Sequence, residues 1–209
     1  MKRILYLHGM GGGSDSRIPS ILDQALTDVV VVCRTYSFDP EVASGQIASW
    51  IDELKPDLIM GESLGSLHAL RQNGVPRLLI SPALNAPLYF EVLAWLTLIP
   101  GVTWIFDRIY RPREGDRQPL HFTFRTLRKY LRHRKLALMA SSDAAVPGEI
   151  HAFIGTRDHY LKSGVVSIKT WEKYFGKTFT LYDGTHFTEE EHIYGVVIPV
   201  ILNILNNKK

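Results

Sequence analysis

Hydrophobic residues along the chain fall into two alternating patterns. Short, nearly continuous apolar runs are typical of strands buried on both faces, and they occupy residues 4–7, 29–34, 58–60, 78–81, 151–154 and 179–182. Between them lie segments with apolar residues at helical spacing, namely 18–26, 42–54, 64–72, 163–175 and 189–205. This alternation predicts an α/β fold with right-handed βαβ crossovers and about six parallel strands in the order 2-1-3-4-5-6.

One long segment interrupts this alternation. About sixty residues, roughly 84–147, separate the fourth and fifth predicted strands, whereas a simple crossover needs far fewer. They include an uncharged stretch, 92–106, which is shorter than the ~20 residues of a membrane span and is interrupted by Pro100 and Gly101. We therefore expect one domain over residues 1–209. The segment would be a helical cap, either packed on the domain or acting as a lid that contacts substrate.

Composition and charge narrow the class of protein. The 209 residues are 45% hydrophobic and 22% charged, which suffices for a full core, and a net charge of +3 does not indicate nucleic-acid binding. The single cysteine, Cys33, excludes an intramolecular disulfide and lies in a predicted strand. The apolar run at 4–7 is shorter than the roughly 7–15 residues of a signal-peptide core, so we expect a cytoplasmic protein without a transmembrane segment.

The strongest chemical signal is the motif G-x-S-x-G at residues 61–65. It follows a predicted strand and precedes a predicted helix, which is the context of a nucleophile elbow. Glycine is required at both ends because a side chain there would collide with the neighbouring strand or helix. The strained turn presents the hydroxyl of Ser63, which we therefore predict to be a nucleophile rather than a helix-capping serine.

A nucleophilic serine needs a base, and the base needs a carboxylate that orients it. His186 follows the last predicted strand and Asp158 follows the strand before it, which gives the order serine, acid, histidine expected with a nucleophile elbow. We predict His186 as the base and Asp158 as the acid. Asp183 is the alternative acid, although its position beside Gly184 also fits an ordinary turn.

The glycine-rich loop at residues 8–14 follows the first predicted strand. A dinucleotide site would need G-x-G-x-x-G, but this loop ends in Ser14, and no Gly-Lys-Ser/Thr of a phosphate-binding loop is present. An acyl-transfer enzyme instead needs two backbone N–H groups directed at a developing oxyanion. We predict the amides of Leu64 and Met10, with Gly11 as the alternative to Met10 and His8 as a residue that orients the loop.

These motifs together resemble those of α/β-hydrolase-fold serine esterases, specifically the compact bacterial YqiA-type group. The resemblance rests on residues 7–9, 61–65, 155–158 and 184–187, which span nearly the whole chain. It implies a reduced hydrolase fold without the first strands of larger members. The long insertion departs from the compact pattern, so the resemblance does not define the substrate.

We expect hydrolysis of a small-molecule carboxylic ester or thioester through an acyl-enzyme, without a metal or organic cofactor. The same triad could also cleave an amide or a lactone. Two alternatives outside hydrolysis are a cofactor-free lyase or acyltransferase and a non-catalytic binding module.

The insertion suggests a further preference. Residues 108–135 carry ten Lys and Arg against Glu114 and Asp116, so this segment has a local charge of +8. It could guide an anionic substrate such as an acyl-CoA, form an ordinary solvated helix face, or contact a membrane surface or a protein partner. An apolar surface near the mouth of the site is expected from the hydrophobic residues Leu93, Trp95, Leu96, Leu98, Trp104, Ile105 and Phe106.

Overall fold

The strands form one parallel sheet in the order β2-β1-β3-β4-β5-β6. The computed structural model describes residues 1–112, 115–139 and 150–207. The predicted strand order is confirmed, and the first, third and fifth strands extend one or two residues beyond the predicted apolar runs. The strands are β1 Lys2–Leu7, β2 Val29–Cys33, β3 Leu58–Glu62, β4 Arg77–Ile80, β5 Ile150–Gly155 and β6 Phe179–Tyr182.

Alternate side chains of the central strands enter two separate cores. On β1, Leu5 and Leu7 belong to one hydrophobic cluster, whereas Ile4 and Tyr6 belong to the cluster on the opposite face. All four are fully buried. A strand that is covered on both faces has no position for a polar residue, which explains the continuous apolar runs.

Helices cover both faces of the sheet. In chain order they are α1 Arg17–Ala25, α2 Pro40–Leu54, α3 Gly65–Leu70, α4 Ala86–Leu96, α5 Val102–Ile109, α6 Phe124–Met139, α7 Tyr160–Ser163, α8 Ile168–Phe175, α9 Glu190–His192 and α10 Ile198–Asn207. The first hydrophobic cluster contains residues of α2, α3 and α6, and the second contains residues of α1 and α10.

The prediction of a continuous helix over residues 163–175 is wrong. The chain forms the short helix α7, turns at Gly164 with φ +79°, and begins again at α8. Gly164 adopts the left-handed conformation that ends a helix, and the Ser167 hydroxyl accepts the N–H of Thr170 to cap the next one.

The predicted helix over 189–205 is helical throughout most of its length but is not uniform. A π-helical turn, Ile193–Val197, lies between α9 and α10. Pro199 has no N–H to bond the carbonyl of Gly195, so regular α-helical hydrogen bonding cannot continue through this point.

The described part of the insertion between β4 and β5 contains the helices α4, α5 and α6, joined by non-helical segments. Helix α6 packs against α4 and also contacts α2 and α3. The buried Tyr130 of α6 donates its hydroxyl to the Phe38 carbonyl at 2.8 Å. One face of α6, the helix of the basic segment, therefore packs on the first hydrophobic cluster. By contrast, α5 has no buried residue.

Candidate active site

Ser63 occupies a sharp turn between β3 and α3. Its φ of +50° lies in the left-handed region, which is strained for a residue with a side chain. A Cβ at Gly61 would lie 2.8 Å from Ser66 Cα, and one at Gly65 would lie 2.3 Å from the Leu7 carbonyl oxygen. Both glycines are thus required by close backbone contacts, as the motif predicts.

The structure brings together Ser63, His186 and Asp158. Ser63 Oγ lies 3.0 Å from His186 Nε2, and His186 Nδ1 lies 2.8 Å from Asp158 Oδ2. Because an ionised carboxylate only accepts hydrogen bonds, Nδ1 carries the proton and Nε2 is left to accept from the serine hydroxyl. This arrangement can remove a proton from Ser63 while the carboxylate stabilises the resulting imidazolium.

Asp158 and Asp183 have different surroundings. The Asp158 side chain is buried, and its second oxygen accepts the N–H of Tyr160 at 2.8 Å. Asp183 is exposed and forms an ion pair with Arg157 at 2.8 Å. The structure therefore places Asp158, and not Asp183, beside the imidazole of His186.

Two backbone amides beside Ser63 are available to a ligand. Met10 and Leu64 both line the cavity, and among the described residues neither amide donates a hydrogen bond. The amide of Gly11 instead donates to Gln118 Oε1 at 3.1 Å, and that of Gly12 to the Gly9 carbonyl at 3.0 Å. Gly11 is accordingly less suited than Met10 to bind an oxyanion.

A cavity of about 460 Å³ opens at Ser63. Its apolar lining residues include Leu64, Ala83, Ala86, Phe90 and Val165. Its polar lining residues include Ser16, Arg17, Glu62 and Arg117. A substrate bound at Ser63 would thus meet both apolar and charged groups.

The expected apolar surface at the mouth is only partly found. None of the seven hydrophobic residues predicted for it lines the cavity, whereas their neighbours Ala86, Tyr89 and Phe90 do. Of the described residues in 108–135, Arg117 alone lines the cavity. The structure therefore restricts direct contact between the basic segment and the cavity to this arginine.

Comparison with solved structures supports the fold strongly. Est1E from Butyrivibrio proteoclasticus, with ferulic acid bound, has a TM-score of 0.70 and 14% identity, with coverage of 99% of this chain and 90% of that one. A monoacylglycerol lipase from Paleococcus ferrophilus has a TM-score of 0.64 and 17% identity, with coverage of 98% of this chain and 94% of that one. Tomato methylketone synthase I with β-ketoheptanoate has a TM-score of 0.62 and 10% identity, with coverage of 100% of this chain and 99% of that one. This chain has the α/β-hydrolase fold.

The finer relationship is not resolved by sequence. No protein-family model matches the chain, and a comparison with curated proteins finds no relative. The resemblance to YqiA-type esterases therefore stays a prediction from four short motifs.

In this hydrolase fold the glycine-rich loop is held by a residue of the insertion. Gln118 is buried, and besides accepting from Gly11 it donates from Nε2 to the Tyr36 carbonyl at 3.0 Å. The backbone N–H of Gln118 donates to the Gly12 carbonyl at 2.7 Å. Sequence reasoning missed Gln118, because nothing in its local pattern indicates a contact 107 residues away.

His8 also supports the loop. Its ring is buried, stacks on Tyr36 at 4.2 Å, and its Nδ1 donates to the Gly9 carbonyl at 2.8 Å. Burial lowers the pKa of His8, which favours the neutral ring. These contacts are those of a residue that orients the loop.

Glu62 is a second ionisable group in the cavity that the sequence analysis did not single out. It immediately precedes Ser63, lines the cavity, and accepts the hydroxyl of Tyr6 at 2.7 Å. Burial is the main cause of the raised pKa of this carboxyl. The site thus contains one carboxylate that orients His186 and another carboxyl whose charged form is disfavoured.

The remaining candidate groups do not form a further centre. Cys33 is partly buried at the end of β2, and burial raises the pKa of its thiol to about 12. Among the residues that the structure describes, no group of three or more His, Cys, Asp or Glu is arranged to hold a metal ion. None of the described helices is long and apolar enough to cross a membrane.

Proposed function

We propose that this protein is a serine hydrolase that cleaves carboxylic esters or thioesters through an acyl-enzyme intermediate. The single observation that carries the proposal is the continuous hydrogen-bonded line from Ser63 through His186 to Asp158, at 3.0 and 2.8 Å. The backbone N–H groups of Met10 and Leu64, which donate no hydrogen bond among the described residues, lie in the same cavity. A binding module would have no need for a strained serine aligned with an oriented imidazole.

Acylation begins when Ser63 Oγ attacks the substrate carbonyl carbon and its proton passes to His186 Nε2. Asp158 holds the other ring nitrogen protonated and stabilises the imidazolium. The oxygen of the tetrahedral intermediate accepts the amides of Leu64 and Met10. The imidazolium then gives its proton to the leaving alcohol or thiol, whose bond to the carbonyl carbon breaks.

Deacylation repeats these steps with water. His186 accepts a proton from the water that attacks the acyl-enzyme, and the same two amides stabilise the second oxyanion. Collapse of this intermediate breaks the bond to Ser63 Oγ, which regains its proton from His186. The products are a carboxylic acid and free enzyme, and no metal or organic cofactor takes part.

The cavity and the neighbouring structures support an ester with an apolar acyl group. The lining residues Leu64, Ala86 and Phe90 suit a hydrocarbon chain, because they carry no ionisable group. The names of two structural neighbours, a monoacylglycerol lipase and an Est1E with ferulic acid bound, are consistent with this chemistry. We also propose that residues 84–147 form a cap on a single catalytic domain.

A fluorophosphonate probe tests the proposal, together with a panel of acyl esters and thioesters of graded chain length. The probe should label the wild type and Ser20→Ala, which changes an exposed serine on α1, but not Ser63→Ala. His186→Ala should be labelled far more slowly. Labelling that persists in Ser63→Ala would identify another nucleophile, and labelling without turnover of any ester would favour a different acyl-group chemistry.

A further inference from the structure

Helices α4 and α5 present a large apolar surface to solvent. Eleven large hydrophobic side chains between residues 88 and 110 are exposed, including Trp95 at 58% and Trp104 at 64%. We call this set the α4–α5 apolar surface: Leu88, Tyr89, Val92, Trp95, Leu96, Leu98, Ile99, Trp104, Ile105, Ile109 and Tyr110. Scattered exposed hydrophobic residues are ordinary, but a concentration of this kind marks an interaction site.

Acidic groups on these two helices are paired with basic partners. Glu91 forms an ion pair with Arg128 at 2.5 Å, and Asp107 lies 2.8 Å from a ring nitrogen of His121. Arg128 thus offsets the charge of Glu91, and the carboxylate of Asp107 has a hydrogen-bond partner in His121.

Guanidinium groups border the surface next to its two tryptophans. Arg108 lies over the ring of Trp104, with 5.8 Å between the guanidinium carbon and the ring centroid. Arg128 lies over Phe124 at 6.0 Å, and Phe124 contacts the ring of Trp95 edge to face at 5.2 Å. Arg128 is also the partner of Glu91, so Arg108, which forms no ion pair among the described residues, is the free cation beside the surface.

This combination identifies the chemistry of the partner. Aliphatic side chains insert into the hydrocarbon boundary of a bilayer, tryptophan and tyrosine favour the headgroup level, and arginines attract anionic headgroups. We propose that the α4–α5 apolar surface docks on a lipid bilayer that contains anionic lipids. The helices would lie in the plane of the interface, with their apolar face buried by about 5–10 Å.

The docking surface is continuous with the cavity at Ser63. Tyr89 is 48% exposed on the apolar surface and also lines the cavity, as does its neighbour Phe90. A bilayer seated on α4–α5 would therefore lie beside the mouth of the cavity. An acyl chain could pass from the bilayer along Tyr89 and Phe90 into the cavity without crossing bulk water.

Vesicle flotation tests the docking surface separately from catalysis, since Ser63→Ala should bind vesicles like the wild type. The full chain should float with phosphatidylcholine vesicles that contain phosphatidylglycerol and bind pure phosphatidylcholine at least roughly tenfold more weakly. Trp104→Glu and Trp95→Glu should each lower the affinity for anionic vesicles roughly tenfold or more. The control Val42→Glu, at a 53% exposed apolar position on α2, should leave it unchanged.

Three outcomes would overturn the proposal. They are a wild type that does not float with either vesicle, equal affinities for Trp104→Glu and Val42→Glu, and equal affinities for the two vesicle types. Sedimentation of the lipid-free protein tests the alternative that the surface binds a second copy of the chain. A dimer that Trp104→Glu dissociates, without flotation of the wild type, would assign the surface to a second copy of the chain.

Discussion

The side chain of Gln118 accepts the backbone N–H of Gly11 at 3.1 Å, and so ties the insertion to the loop that carries the Met10 amide. The N–H of Gly11, the predicted alternative to Met10 as an oxyanion donor, is therefore already hydrogen-bonded. The bond also fixes the peptide next to Met10, because the other end of the same side chain is held by the Tyr36 carbonyl at 3.0 Å. The insertion thereby contributes to the geometry of the loop as well as to the wall of the cavity.

Loss of the Gln118 side chain should loosen this loop. We expect Gln118→Ala to lower kcat for a short neutral ester by roughly tenfold or more, with a smaller change in KM, since an oxyanion donor acts mainly in the transition state. Gln24→Ala, at an exposed position on α1, is the control. A change confined to KM, or equal activities of the two variants, would contradict a positioning role for Gln118.

The acid is tested by a pair of isosteric substitutions. Asp158→Asn should lower kcat by roughly four orders of magnitude while the fold is retained, because the amide cannot hold His186 in the required tautomer. Asp183→Asn should change kcat little, since Asp183 is exposed and pairs with Arg157. Circular dichroism checks the fold of both variants. A larger loss in Asp183→Asn would transfer the role to Asp183.

Substitution of glycine by alanine should have opposite effects on stability at Gly65 of the nucleophile elbow and at Gly45 of α2. Gly65→Ala should severely destabilise the protein or displace Ser63, because the added Cβ would meet the Leu7 carbonyl oxygen at 2.3 Å. Gly45→Ala, in the middle of α2 with no atom within 4 Å of the added Cβ, should stabilise it by about 1 kcal/mol. Denaturant unfolding measures both changes. Comparable stabilities would show that the elbow can relax.

Charge at the mouth of the cavity is tested by salt. Raising ionic strength should increase KM for an acyl-CoA and leave a neutral ester of equal chain length nearly unaffected, because screening acts over a Debye length of ~8–10 Å. Arg117→Gln should reduce this salt response, whereas Arg125→Gln, exposed and outside the cavity lining, should not. Equal salt responses for both substrates would remove any steering role.

The sheet and the catalytic candidates could be predicted because their signals are local. Continuous apolar runs such as residues 58–60 defined the strands, and Ser63, Asp158 and His186 each follow a strand whose carboxyl end lies at the same edge of the sheet. The break of the helix at Gly164 was missed because one glycine is compatible with a helical pattern.

Features that depend on long-range packing could not be predicted in this way. The contact of Gln118 with Gly11 joins two segments that are 107 residues apart, and no local sequence pattern links them. The apolar residues of 93–106 were expected near the mouth of the site, but periodicity does not show which element a helix face will meet. In the structure Trp95 and Trp104 are exposed, and neither lines the cavity.

Two buried histidines make stability sensitive to acid. His68 of α3 and His133 of α6 are buried with their rings 4.3 Å apart. Burial is the main cause of the lowered pKa of both, and for His133 the value falls to about 3. The positive charge of Arg71, whose Nη1 lies 2.9 Å from His133 Nδ1, lowers both pKa values further.

The sign of the effect follows from proton binding. Unfolded histidines bind protons below about pH 6.5, whereas these two stay neutral in the folded protein until far lower pH. Their contribution to the free energy of unfolding is therefore fully present above pH 6.5. It is lost progressively as the pH falls below 6.5, for His133 toward pH 3, by about 1.4 kcal/mol per pH unit for each histidine while it stays neutral in the folded protein.

His68→Phe should remove one of these two protons from the unfolding equilibrium. Neither ring nitrogen of His68 has a hydrogen-bond partner among the described residues, so the aromatic replacement sacrifices no such bond and should be neutral or stabilising at pH 7. Between pH 6 and pH 4 the free energy of unfolding of the variant should fall with a slope about 1.4 kcal/mol per pH unit smaller than that of the wild type. Urea unfolding at several pH values gives both slopes. An unchanged slope would mean that His68 already binds its proton in the folded state over this range.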